Sequence, residues 1–369
     1  MTILKHIRQN SLGQNCLKLT LKNKICGRKN GMNKILSISI AAYNVEKYLK
    51  GTLESLICDS ATLEKIEIIV VNDGSKDKTT LIASEYCKKY PDSIIMIDKE
   101  NGGYGSTINA ALQIASGKYF RLLDGDDWYL TENLKGYIEF LEKSEADMVL
   151  SPYIEYREDI GSEEMLDRHN LKCDREYKIT NVDVSCLDDV KMHELAAKTD
   201  LLKAKNLHIT EKCFYTDTEY VFQIFMFSNS IEKYDRPIYR YRIGSEGQSV
   251  SISGRIKHCR DAEIVLEKIL KLYIEQEDTF NKVKKDVLWN TIKVVAWFQY
   301  TTYLLFENTR DGIIQLKKYD EKIKRICKSL YKELSMESKL VTLLRLTDYV
   351  TYGIARKRIM KNQFKNNKK

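Results

Sequence analysis

Asp124, Asp126 and Asp127 fall within four positions, directly after the apolar run Tyr119-Phe-Arg-Leu-Leu123. So much negative charge in one place is costly unless water, a partner cation or a metal offsets it. Read alone, the cluster is equally an Asp/Gly turn in which one aspartate caps the next helix. Asn101-Gly-Gly-Tyr-Gly-Ser106 also follows an apolar run and opens a helical one. Its amides could approach a phosphate, or it could be a tight turn that holds nothing. Ile108 stands where a dinucleotide fingerprint needs its third glycine, and the first strand carries no glycine motif, so a Rossmann cofactor site is set aside. His193 and His258 stand singly and read as packing or surface residues.

These groups need elements to position them. Residues 36–42, 67–71, 94–98, 119–123 and 148–156 read as strands. Helices are predicted after Asn44 as a cap, over 78–90, over 106–115 and over 133–144. Alternating strands and helices of this length mean an α/β fold, a mostly parallel sheet with helices on both faces. Ligands bind such sheets beyond the carboxyl ends of the strands. Tyr43-Asn44, Asn72-Asp-Gly-Ser75, Asn101-Gly-Gly103 and Asp124–Asp127 all fall at those ends. Further on, 157–190 reads as a flexible charged insert, 191–203 and 217–228 as helices, and 231–243 as a strand. Beyond Arg255 the pattern is helical, with helices near 283–306, 312–334 and 337–361.

Of 369 residues 43% are hydrophobic and 30% charged, an ordinary globular balance. The net charge of +8 sits at the ends. Residues 1–31 and 353–369 each carry seven Lys/Arg and no acid, and the body between them is mildly acidic. That argues against nucleic acid as a partner and for tails that could meet an anionic surface. Nine scattered cysteines in no metal-ligand spacing read as free thiols of a reducing, cytoplasmic compartment. No apolar run is long enough to cross a membrane. Residues 1–32 are expected to be a disordered basic extension, and a chain starting at Met32 is expected to fold and act normally.

Three segments together resemble a known family. Ile38-Ser-Ile-Ala-Ala-Tyr-Asn44, Val70-Val-Asn-Asp-Gly-Ser-Lys-Asp77 and Leu123-Asp-Gly-Asp-Asp-Trp128 are similar to the successive signatures of family 2 glycosyltransferases, notably bacterial surface-polysaccharide members. The resemblance implies a GT-A domain over 33–250, a helical region over 255–361 and a basic tail over 362–369. It implies inverting transfer from a nucleotide-diphosphate sugar, expected to be UDP-linked, to a saccharide or lipid-linked acceptor. Ala42, Tyr43, Asn44, Asp73, Asn101, Gly102 and Asp124 would then border the donor nucleotide. Asp126 would be the direct ligand of Mg²⁺ or Mn²⁺ with Asp124 at its edge, and Asp127 a ligand or a brace.

Asp217 matches the family's base, with Glu219 in reserve, and Arg240, Arg242 and Gln248 would close over the diphosphate. The family usually has Pro at Ala42, Asp at Asn72 and Arg at Ile108, so this chain departs from it near the base and sugar. The alternatives are a silent nucleotide-sugar-binding protein and a sugar nucleotidyltransferase. The latter needs a Gly-x-Gly-Thr-Arg loop where Ala41-Ala-Tyr-Asn44 stands. The apolar 340–354 and the basic residues after it suggest peripheral contact with the inner membrane face, or packing on the preceding helices.

Overall fold

The computed structural model describes residues 25–26, 33–173, 175–244 and 251–366. Of the N-terminal 32 residues it describes only the strand β1 (Ile25–Cys26), and the disorder expected of the others lies outside the described residues. The chain then runs β2 (Leu36–Ala42), α1 (Leu49–Glu54), α2 (Ser60–Glu64), β3 (Ile66–Asp73), α3 (Thr79–Lys89), β4 (Ile94–Lys99), α4 (Tyr104–Ile114) and β5 (Tyr119–Asp124). Strands β4, β3, β2 and β5 lie side by side and parallel, in that order. Every residue of β3 is buried, as a strand covered on both faces requires. Asn44 caps no helix here. It takes a left-handed φ of 53° and its side chain accepts the Lys76 amide, which ties the β2 end to the β3 end.

Beyond β5 come β6 (Trp128–Tyr129), α5 (Thr131–Lys143), β7 (Met148–Leu150), β8 (Tyr153–Arg157), β9 (Ser162–Leu166), β10 (Tyr177–Lys178), β11 (Leu195–Lys198), α6 (Thr199–Ala204), α7 (Thr216–Phe227), β12 (Ser230–Lys233) and β13 (Tyr239–Ile243). The strand expected over 148–156 is two strands in different sheets. Ser151-Pro152 parts them, since proline cannot donate to a ladder. The run 231–243 divides likewise at Pro237. The helix expected over 191–203 is a 3-10 turn (Met192–Glu194), then β11, then α6. Leu-Ala-Ala-Lys favours helix locally, but β11 pairs antiparallel with both β5 and β7, and that pairing overrides propensity. The expected insert 157–190 contains β9, β10 and two 3-10 turns.

The main sheet has the order β1-β4-β3-β2-β5-β11-β7-β12-β10, parallel at its centre and mixed towards the edges. A second sheet, β6-β13-β8-β9, stands at the carboxyl end of β5. Helices α8 (Ile252–Lys257), α9 (Asp261–Gln276), α10 (Lys282–Tyr303), α11 (Thr309–Ile326), α12 (Lys328–Glu337), α13 (Lys339–Leu346) and α14 (Tyr352–Asn366) complete the chain. The expected 312–334 and 337–361 helices are each two, broken at Cys327 and by the left-handed pair Asp348-Tyr349. One face of the sheet packs Ile38, Ile40, Ile68 and Val70 against Leu49, Ala83, Leu134 and Tyr137. The other joins Ile69 and Val71 to α4, α7 and α9–α14 in one continuous core.

Candidate active site

The loop after β5 is held from three sides. The Gly125 amide donates to Ala41 O at 3.0 Å, and Thr52 Oγ1 donates to Gly125 O at 3.0 Å. A Cβ on Gly125 would lie 2.7 Å from Ala41 O, so a side chain would push the turn off β2. From the second sheet, the Tyr239 hydroxyl accepts the Asp124 amide at 3.1 Å and donates to Asp127 Oδ2 at 2.6 Å. The Arg242 amide donates to Asp127 Oδ1 at 2.7 Å, and its Nε donates to Asp126 O at 2.9 Å. Asp127 is therefore a brace between the two sheets.

The carboxylates raise one another. Asp124 is pushed up to about 7, chiefly by burial and then by the Asp126 charge. A Tyr104 hydroxyl bond opposes that rise, and the Asp217 charge adds to it. Asp127 rises well above the ordinary range through burial, Asp124 and Asp126. Asp126 is raised by burial against the opposing Arg242 charge. Asp217, in the first turn of α7, is raised by burial. Its charge reaches Asp124, Tyr104 and Tyr241, so residues almost a hundred positions apart in the chain act on one another.

His193 was expected to pack, and it does: its ring stacks on Tyr241 at 4.1 Å and meets Tyr239 edge-on at 4.8 Å. It also faces the aspartates. One donor atom from each of Asp124, Asp127 and His193 lies within 4.8 Å of the other two. Burial, and then the Lys191 and Arg121 charges, drive His193 down to about 3, so the imidazole is neutral. Asp124 Oδ1 and His193 Nδ1 are buried with no hydrogen-bond partner. Two unpartnered ligand atoms among crowded carboxylates suit a divalent cation, which would replace the missing partners. Asp126, expected as the direct ligand, stands beside this trio and is not one of its three members.

The other expected residues divide. Tyr43 and Asn101 are exposed at the strand ends, and Asn44 is exposed beside them. Ala42 is fully buried. Asp73 is buried and turned inward. Its Oδ1 accepts Lys99 Nζ at 2.6 Å and the Gly102 amide at 2.9 Å, and its Oδ2 accepts the Gly103 amide at 2.8 Å. The anion at the start of α4 is thus an internal carboxylate where a phosphate had been envisaged, and Gly102 serves Asp73.

Glu219, the reserve base, is fully buried and accepts the Thr210 amide and Gln223 Nε2, each at 3.1 Å. It ties α7 to a neighbouring loop. Arg242 lies between the rings of Tyr48 and Trp128, 4.6 Å from each, and pairs with Glu158 at 3.1 Å. Arg240 pairs with Glu163 at 3.3 Å along the second sheet. Gln248 lies outside the described residues.

Tyr104, Tyr239 and Tyr241 were missed. Tyr239 and Tyr241 alternate with Arg240 and Arg242 in β13, so a strand period placed them on the opposite face from the arginines. Nothing in the sequence says that this face meets His193.

Residues 37–202, just under half of the chain, match Glycosyl transferase family 2. It is 31% identical over 222 residues to the minor teichoic acid biosynthesis protein GgaB of Bacillus subtilis, which covers 58% of this chain and 23% of GgaB. It is 29% identical over 221 residues to the putative glycosyltransferase EpsH of the same organism, covering 56% of this chain and 60% of EpsH. The chain thus spans less than two thirds of these curated relatives. S. aureus TarS 1-349, solved with UDP-GlcNAc, superposes with a TM-score of 0.62 at 19% identity. The match covers 89% of this chain and 92% of that one, which establishes a shared fold across the helical region as well.

Proposed function

We propose that the protein is a metal-dependent inverting glycosyltransferase, moving a sugar from a UDP-linked donor to a saccharide or lipid-linked acceptor in bacterial surface-polysaccharide synthesis. The observation that carries this reading is the crowding of Asp124, Asp127 and His193 within 4.8 Å, with the Asp217 charge reaching Asp124, which is pushed up to about 7. The family match, the teichoic-acid relative GgaB and the UDP-GlcNAc bound by TarS support the donor class and the setting. Catalysis at the inner membrane face of the cytoplasm, on a GT-A domain over 33–250, belongs to the same reading.

Both Asp127 oxygens are engaged by Tyr239 and the Arg242 amide, so Asp124 and His193, with the neighbouring Asp126 as third ligand, would hold Mg²⁺ or Mn²⁺. Bound there, the cation supplies positive charge to the departing diphosphate. The chain's own residues do the rest. Asp127 and Tyr239 keep the loop at its angle, and Arg242 pins the Asp126 carbonyl. Asp217 accepts the proton of the acceptor hydroxyl as that oxygen bonds to the anomeric carbon and the carbon–diphosphate bond breaks on the opposite face. Its raised proton affinity suits a base that must take a proton near neutrality. Tyr43, Asn44 and Asn101 form the exposed rim for the nucleotide, and Asp73 braces that rim from behind.

The test is UDP release from a panel of UDP-sugars with Mn²⁺, with and without exhaustive chelation, alongside calorimetric binding of UDP. Turnover lost on chelation supports the reading. Turnover that survives chelation overturns the metal, and UDP binding without any turnover makes the protein a binder.

A further inference from the structure

The turn between α13 and α14 presents an apolar surface to solvent. Leu343 is 42% exposed, Leu346 80%, Val350 83% and Ile354 68%. They recur at spacings of three or four, while Val341, Leu344, Tyr349, Tyr352 and Ala355 alternate with them and are buried. The inward stripe already satisfies the core, so the outward one is a second apolar stripe with nothing of this chain over it among the described residues.

The exposed face of α14 continues from Ile354 through Lys357, Arg358 and Lys361, at i+3, i+4 and i+7, all exposed. Among the described residues no carboxylate forms an ion pair with these three cations. Residues 353–369 contain seven Lys/Arg and no acid. No helix of the described residues is long and apolar enough to cross a membrane.

We propose that the α13–α14 turn docks on an anionic bilayer, with Leu346, Val350 and Ile354 entering the headgroup boundary and Lys357, Arg358 and Lys361 meeting the lipid phosphates. Apolar prongs beside cations are the chemistry of a peripheral contact. A soluble polyanion would engage the cations and leave the prongs wet, and a second copy of this chain would bring the same unpaired positive charge against itself. The left-handed turn at Asp348-Tyr349 makes the prongs a blunt corner, which suits shallow insertion. This surface deepens the membrane placement proposed above, while sugar transfer itself can hold or fail without it.

The experiment is co-sedimentation of the full chain with vesicles of phosphatidylglycerol and phosphatidylcholine, and with phosphatidylcholine alone. Binding is expected only to the anionic vesicles and is expected to fall as salt rises. Leu346→Ser with Val350→Ser is expected to lower the bound fraction about tenfold, since each residue loses a buried apolar side chain. Lys357→Gln with Arg358→Gln is expected to weaken binding about fivefold per cation. The targeted side chains are exposed, so an unchanged thermal midpoint shows that the variants fold. Absence of pelleting, or equal pelleting of folded variants, overturns the proposal. So does a dimer, seen by sedimentation velocity, that the serine variants dissolve without any vesicle binding in the parent.

Discussion

Two buried ionic clusters in this molecule are built in opposite ways. In the helical region Asp320 accepts Arg345 Nε at 2.8 Å, Arg345 Nη2 at 2.5 Å and the Tyr349 hydroxyl at 2.5 Å. Arg345 also donates to Tyr331 O and Ser335 Oγ and lies 3.6 Å over the Tyr331 ring. Each charge there has its counterpart. Around Asp124 four carboxylates share one buried space, the nearby Arg242 is spent on Glu158 and the loop backbone, and Asp124 Oδ1 and His193 Nδ1 have no partner. Satisfied networks hold helices together, whereas an unsatisfied one stores a demand that a ligand can meet.

The sharpest way to break that contrast is Asp217→Asn. Turnover is expected to fall by about 10²–10⁴ with UDP binding retained, because only the proton acceptor is lost. Steady-state kinetics with calorimetry decides it, and unchanged turnover would move the base elsewhere. On the satisfied side, Arg345→Met leaves Asp320 buried and unpaired. It is expected to cost about 3–5 kcal/mol in denaturant unfolding, with metal binding unaffected in whatever folds.

Asp124→Asn should behave oppositely to Arg345→Met. Relief of crowded charge is expected to stabilise the metal-free protein by roughly 1–3 kcal/mol at pH 8, while Mn²⁺ no longer raises its melting temperature. The sign follows from the raised proton affinity. Asp124 contributes stability below its unfolded value and loses it as pH rises through about 7. Metal-free protein is therefore expected to melt lower at pH 8 than at pH 5, a difference that Mn²⁺ reduces because its ligands bind deprotonated. Thermal melts at both pH values, with and without Mn²⁺, check this. The smallest effect is expected at Glu163→Gln, which removes the exposed carboxylate that pairs with Arg240. Stability should change by less than about 1 kcal/mol, and UDP affinity should change only if Arg240 can then swing to the diphosphate.

Much of the architecture was legible in advance because local pattern and tertiary role agree. The β2–β5 strands are apolar on both faces, and the polar clusters after them fall where a parallel sheet binds ligands. The antiparallel strand β11 was not legible, because its Leu-Ala-Ala-Lys prefers helix and only the slot between β5 and β7 makes it a strand. That error hid His193, which stands just before the strand and enters the site only once β11 is docked.

Asp217 and Glu219 show the same limit at closer range. Two residues apart on α7, one brings its charge to Asp124 and the other is locked inside by Thr210 and Gln223, and spacing alone does not say which. The types and order of the acidic groups, and the sheet beneath them, were determined by the sequence itself, since strand period and turn chemistry act over a few residues. Which carboxylates share a dielectric, which are already hydrogen-bonded and which atoms are left unpaired was decided only by the tertiary structure. Proton affinity and ligand demand depend on burial and on charges brought from distant positions, and neither exists until the chain has packed.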